Sequence, residues 1–355
     1  MPQVMIESSD YENVRSAVDK IFTQIPLRLS NKNVLIKPNA LRASEAQEGI
    51  VTHPSVLRAV VEAVEAMQPA DIIVGDNTGA FSYGDNEACF QKTGLMEASK
   101  GYYRNIGNDA VKLKFNPDFM PEVSVSRAIL EADIFISVPK FKTHGLTVIS
   151  GAIKNSYGIL PGAQKARLHK QAGTPERFHD MMVEVFQLRV PDLFIVDAVV
   201  GMEGNGPTSP DLREIGLILA SDNAVALDAV IAEMMGLDPG RLRFLQKAKA
   251  AGLGDFDREK IDIVGELKRL PHYQIPPLGG EASMENQAIQ EFLTERTQLR
   301  PKADPDLCTS CESCIDQCPV SALSMIDDIP VVTAEMCITC FCCQEICPEK
   351  ALVLV

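Results

Sequence analysis

The chain has 355 residues, 46% of them apolar and 23% charged, with a mean hydropathy near zero, so it can bury a sizeable core and is not a disordered chain. Its formal net charge of −14 argues against nucleic acid and anionic membrane as default partners, since those surfaces would repel it. The first residues carry neither the basic nor the apolar region of a signal peptide, and no run reaches the roughly 18 apolar residues that span a bilayer, so a soluble, cytoplasmic protein is expected.

Over residues 1–268 short apolar runs alternate with helix-like stretches, which predicts an α/β domain with a mainly parallel sheet and flanking helices. The runs predict strands at 33–37, 71–76, 133–138, 192–199, 215–220 and 261–264, and helices at 54–67, 86–98, 178–188 and 223–235. Four strands run into polar groups: Lys37-Pro38-Asn39, Asp76-Asn77-Thr78-Gly79, Lys140-Phe141-Lys142-Thr143-His144-Gly145, and Asp197. Ligands of open α/β sheets bind beyond the carboxyl ends of the strands, so these turns are expected to share one cleft; singly, each is an ordinary polar strand end.

Residues 134–175 contain no Asp or Glu, although such residues make up about one in seven of the chain and about six are expected in this length. The stretch holds Lys140, Lys142, Lys154, Lys165, Arg167 and Lys170, with His144 and His169. A basic island in an acidic protein focuses its field on an anion such as a carboxylate or phosphate. Within it, residues 151–162 combine glycines, which let main chain approach a ligand closely, with Lys154 and Asn155. Neither this segment nor Gly201-Met202-Glu203-Gly204-Asn205-Gly206 has the Walker or Rossmann order, so no nucleotide site follows from motif.

His144, whose ordinary pKa lies near neutrality, is the candidate acid–base group, with Lys140 and Lys142 beside it. Candidate substrate-binding groups are Lys37, Asn39, Asp76, Lys154, Asn155, Lys165, His169 and Asp197. Asp76 and Asp197 are equally well explained as strand-end turn formers. His53, before Pro54, reads as a turn or cap residue, His179 and His272 have no supporting pattern, and Cys89 reads as a buried small hydrophobe.

The stretch 269–280, with three prolines and two glycines, predicts a linker, and a polar helix at about 284–298 leads on from it, so that 269–300 joins two domains. Nine of the ten cysteines follow between Cys308 and Cys347, a crowding that fits metal ligation better than disulfides in a chain without an export signal. Cys308, Cys311, Cys314 and Cys318 precede Pro319, and Cys337, Cys340, Cys343 and Cys347 precede Pro348, each spelling C-x2-C-x2-C-x3-C-P. In two-cluster ferredoxins the fourth cysteine of such a run ligates the other cluster. One [4Fe–4S] cluster is therefore expected on Cys308, Cys311, Cys314 and Cys347, and a second on Cys337, Cys340, Cys343 and Cys318. Zinc ribbons fit less well, since they use two separated C-x2-C pairs. Cys342 is left over as a non-ligand packed near a cluster. Apolar segments at 322–326 and 351–355, the first ending in an Asp327-Asp328 turn, complete a segment that closely resembles a bacterial-type two-cluster ferredoxin. Residues 301–355 carry nine acidic and two basic side chains, a surface suited to a basic patch on a redox partner of ferredoxin or flavodoxin type.

Taken together, the Lys37-Pro38-Asn39 turn, the block from Asp133 to Gly145 and the Lys154-Asn155 block resemble the family named domain of unknown function 362, whose members are often fused to such a ferredoxin domain. The resemblance implies that Lys37, Asn39, Lys140, Lys142, His144, Lys154 and Asn155 act as one group. The expected function is iron–sulfur electron transfer, as a ferredoxin-coupled oxidoreductase acting on an anionic substrate or cofactor; whether a flavin or other organic cofactor is bound stays open. The alternatives are a non-catalytic carrier or cofactor-maturation factor, and a non-redox enzyme whose clusters are structural.

Overall fold

The computed structural model describes residues 1–79, 84–276 and 300–354. In chain order the strands are β1 (Gln3–Ser8), β2 (Asn33–Pro38), β3 (Asp71–Val74), β4 (Ala110–Lys114), β5 (Glu122–Ser126), β6 (Ile134–Val138), β7 (Lys140–His144), β8 (Val148–Ser150), β9 (Leu193–Met202), β10 (Leu212–Ser221) and β11 (Asp262–Val264). Apart from the β4–β5 hairpin they form one sheet in the order β11-β1-β10-β9-β6-β2-β3, with β7 and β8 attached to the far half of β9. The run β3-β2-β6-β9 is parallel, as are β7 with β9 and β1 with β11; β10 is antiparallel to both β1 and β9, and β8 to β7. The α/β class and the largely parallel sheet expected from the sequence are those observed.

Side chains alternate across the sheet with period two. Val34 and Ile36 of β2 enter one core with the helices Val14–Gln24 and Pro54–Ala66, whereas Leu35 enters another with Phe135, Phe178 and the β4–β5 hairpin. A third core lies under Ala224–Met234 and Arg243–Ala250. Each fully buried Val, Leu or Ile side chain contributes about 1.5–3 kcal/mol, so these cores hold the strand ends in fixed register.

Helix starts follow local chemistry. His53 caps Pro54–Ala66, its Nδ1 accepting from the Ser55 amide, and Thr174 and Asn223 cap Pro175–Leu188 and Ala224–Met234 in the same way. The stretch read as one helix at 86–98 is two, Asp85–Lys92 and Leu95–Ala98, divided at Gly94, whose φ of +78° breaks the run.

Two expectations are corrected. Lys140–His144, read as a turn after a strand, is itself a wholly buried strand, because β9 is long enough to pair with β6 in its first half and β7 in its second. The linker expected from 269 is packed chain as far as it is described: Leu270 and Ile275 rest on the core, and buried Tyr273 donates from its hydroxyl to the Met202 carbonyl at 2.9 Å. Its described apolar side chains are packed even though residues 269–276 form neither helix nor strand. The helix expected at 284–298 lies outside the described residues. Among the described residues no helix is long and apolar enough to cross a membrane.

A basic cavity walled by the cysteine module

The parallel strands reverse their winding between β2 and β6: the chain passes from β2 outward to β3, then returns to β6 on the other side. Ligand sites of open α/β sheets form at such a switch point, outside the carboxyl ends of the strands. Here Lys37 and Asn39 end β2, and Asp76 and Asn77 follow β3. They line one side of a cavity of about 640 Å³, counting its open mouth. Lys154, Asn155, Tyr157, Lys165 and His169 line another side.

Lys37 is fully buried and its ammonium is saturated: 2.8 Å from Asp76 Oδ1, and donating to the carbonyl of Pro38 and to Asn155 Oδ1. Burial alone pushes Lys37 down and Asp76 up, and their mutual attraction opposes both shifts. Asp76 Oδ2 accepts from the Ala40 amide, which fixes the turn after β2. Asn155 links the two sides, accepting from Asn39 Nδ2 and donating to Ser137 Oγ. Gly158 is required here for a reason other than ligand approach: a Cβ would lie 2.2 Å from Asp76 Oδ1 and 2.7 Å from Lys37 Nζ. Gly151 likewise makes room for buried Asp228, whose two oxygens accept from the amides of Ala152 and Ile153 and so hold the short helix Ala152–Asn155 that carries Lys154.

The helix Gln164–Ala172 divides the basic island by its own periodicity. Lys165 and His169, one turn apart, are buried on the cavity side, while Arg167 and Lys170 are exposed. Lys165 donates to the carbonyls of Asn77 and Thr78, and burial lowers it to about 7. His169 stacks on Phe178 and meets Tyr157 edge-on, and burial, with the charge of Lys154, lowers it to about 3.

Lys140, Lys142 and His144 do not line this cavity. They project from alternate positions of β7 to one face and lie behind its wall. Lys140 stands opposite Asp197 in the strand register and pairs with it at 2.8 Å, with Tyr11 beside both. Asp197 also accepts from the His53 amide, so this pair closes the join between β7, β9 and the first helix turn rather than facing a ligand. Lys142 donates to Asn39 Oδ1 at 2.8 Å and to the Ile50 carbonyl at 2.6 Å, and burial, then the charge of Lys154, lowers it to about 7. His144 Nδ1 accepts from the amides of Leu146 and Thr147, which puts its proton on Nε2. Burial lowers His144 to about 4.

His144 Nε2 faces Glu345 Oε1 at 3.1 Å, off the line of a hydrogen bond. Glu345 belongs to the cysteine-rich segment, whose short helix Cys342–Ile346 closes the cavity with Cys342, Glu345 and Ile346. Gln317, from the first cysteine run, also lines it and donates to the Gly79 carbonyl. The anchor of this docking is Phe341, buried in the core with Leu146, Tyr157, Leu168 and Phe178. Gln344 bonds the 205–208 loop, its main-chain carbonyl accepting from Thr208 Oγ1 and its Nε2 donating to the Asn205 carbonyl, and Lys350 pairs with Glu48 at 3.3 Å. Burial raises Glu345, but His144, Lys154 and His169 outweigh it and hold the carboxyl at about 2. Glu345, Asn77, Tyr157, Gln317 and Cys342 also line the cavity without being among the candidate cavity residues the sequence singles out; Asn77 lies in the Asp76–Gly79 strand-end motif, whereas nothing local marks Glu345.

Within the module, β12 (Pro301–Ala303) pairs with β15 (Leu352–Leu354), and β13 (Leu323–Ile326) with β14 (Ile329–Val332) through Asp327 and Asp328, both at positive φ as a two-residue hairpin needs. Cys308, Cys311, Cys314 and Cys347 line one space of about 370 Å³. Cys343 has Cys340, Cys318 and Cys337 as neighbours, with Cys314 of the first set also close. The thiols ring a space rather than meet at a point: among the described residues no three His, Cys, Asp or Glu side chains converge as a single ion requires. The Cys318 and Cys347 sulfurs accept from the Ala322 and Ala351 amides, matching bonds in the two repeats. Soft sulfur donors around an enclosed space suit an iron–sulfur cube. Cys89 is buried in its helix, and burial pushes its thiol up to about 12.

Fold and site together define an α/β protein whose strand-end cavity is closed by a ferredoxin-like module, and the C-terminal segment, residues 300–348, matches the 4Fe-4S dicluster domain. Residues 34–233 match the domain of unknown function DUF362, and the chain belongs to that family. A curated relative, thylakoid-associated protein sll1697 of Synechocystis sp., is 32% identical over 229 residues, 62% of this chain and 68% of that protein. Among solved structures, the lactate racemase apoprotein from Thermoanaerobacterium thermosaccharolyticum aligns with a TM-score of 0.45 at 11% identity, over 66% of this chain and 56% of that one. A Thermotoga maritima protein aligns with a TM-score of 0.40, also at 11% identity, over 69% and 60%. This chain thus spans less than two thirds of either of those chains.

Proposed function

We propose that this protein moves single electrons, received in the cytoplasm from a ferredoxin- or flavodoxin-type partner, to an anionic substrate or cofactor in the cavity. Two [4Fe–4S] clusters would be held by Cys308, Cys311, Cys314 with Cys347, and by Cys337, Cys340, Cys343 with Cys318, and would supply the one-electron chemistry. The observation that carries this reading is the shared wall: Cys342 and Glu345, flanking the proposed ligand Cys343, line the same cavity as Lys37, Lys154 and Lys165. Lysines there favour a bound anion and any negative charge that develops on it. Exposed Leu307, Ile326, Val331 and Met336, among the module's acidic side chains, offer a surface for a basic partner. His144, behind the wall, would hold Glu345 in place rather than reach a ligand.

The test uses the full chain, loaded with iron and sulfide without oxygen and reduced by dithionite. Against a panel of small carboxylates and phosphates, at least one compound should reoxidise the clusters about tenfold faster than buffer, and Lys154→Ala should remove that acceleration. If no panel compound does so while electrons still pass to a ferredoxin, the carrier reading replaces this one.

A further inference from the structure

We infer that the cavity is built for a small carboxylate with a hydrogen-bond donor on the adjacent carbon, an α-hydroxy or α-amino acid, with its carboxylate on Lys154 and its donor on Glu345. This rests on the anion-binding reading of the same cavity and narrows it.

The cations of the wall are not equivalent. Lys37 has its three donors placed on Asp76, Pro38 and Asn155, and Lys165 bonds two backbone carbonyls. Among the described residues Lys154 makes neither a hydrogen bond nor an ion pair; its ammonium stands 5.3 Å from the centre of the Tyr157 ring. It is the cation left for a ligand. The wall also presents the Glu345 carboxylate, 13% exposed, whose Oε1 faces His144 and whose other oxygen makes no hydrogen bond among the described residues.

That pairing of signs selects the ligand. A plain carboxylate or phosphate on Lys154 is attracted there but repelled by the nearby Glu345 carboxylate, to which it offers no donor. A ligand bearing a hydroxyl or ammonium beside its carboxylate answers both groups. Sites that hold unpaired buried acceptors discriminate strongly against analogues lacking the matching donor. The cavity volume of about 640 Å³, mouth included, is of small-molecule size.

The experiment is calorimetric titration of the full, cluster-loaded chain, without oxygen, with acetate, glycolate and glycine, which share a two-carbon skeleton and differ in the donor; inorganic phosphate is the control anion. Glycolate or glycine should bind at least about tenfold tighter than acetate. Glu345→Gln should shrink that preference and Lys154→Met should weaken the preferred ligand at least about tenfold, both at unchanged iron content. If acetate or phosphate binds as tightly as either donor-bearing probe and Lys154→Met weakens it, this inference is overturned while the anion-binding reading stands. If none of the four binds, both are overturned.

Discussion

His169 lies flat on Phe178 with its Nδ1 buried and without a partner, and His144 is buried beside Glu345. Both are held below their ordinary value of 6.5, first by burial, to about 3 and about 4. Between these values and 6.5 the unfolded chain binds protons that the folded chain refuses, so the stability conferred by neutral imidazoles is complete above about pH 6.5 and declines as pH falls. At pH 5 the decline amounts to about 2 kcal/mol for each histidine. Urea unfolding at pH 7 and pH 5 measures it, and His169→Phe, which keeps the stack on Phe178, should flatten the difference by about that amount; an identical slope in the variant would show that His169 does not titrate between the two states.

The helix Ala152–Asn155 is one turn long and depends on Asp228, fully buried in Ala224–Met234, for its first amides. Asp228→Ala leaves two buried N–H groups unpaired and should cost about 1–3 kcal/mol for each, read as a lower urea midpoint; an unchanged midpoint would mean that other acceptors replace it. The strands around this helix were legible because short β-branched runs between polar turns read as buried parallel strands. β7 was not: three of its five residues are titratable, and it is a strand only because β9 offers a second half to pair with and Asp197 offers Lys140 a counter-charge. The helix Gln164–Ala172 was hidden in the basic island, since only Leu168 and two alanines give it apolar character. In the site, Lys37, Asn39, Asp76, Lys154, Asn155, Lys165 and His169 could be found from strand ends and charge. Glu345 acts across nearly two hundred residues of chain, and no local pattern encodes that contact.

The two parts are joined through Phe341, which enters the α/β core from the cysteine module, while the module keeps a small core of its own around Ala303, Leu323 and Leu352. Phe341→Ala should therefore cost about 3–5 kcal/mol at the join and leave the module folded. The expected outcome is a larger radius of gyration by small-angle scattering with iron content retained; an unchanged radius would place the anchor elsewhere. The helix that closes the cavity starts and ends between the proposed ligands Cys340 and Cys347. If oxygen strips the iron from those thiols, the helix over the cavity loses its frame as well, so damage to the metal would unlatch the pocket in the same event.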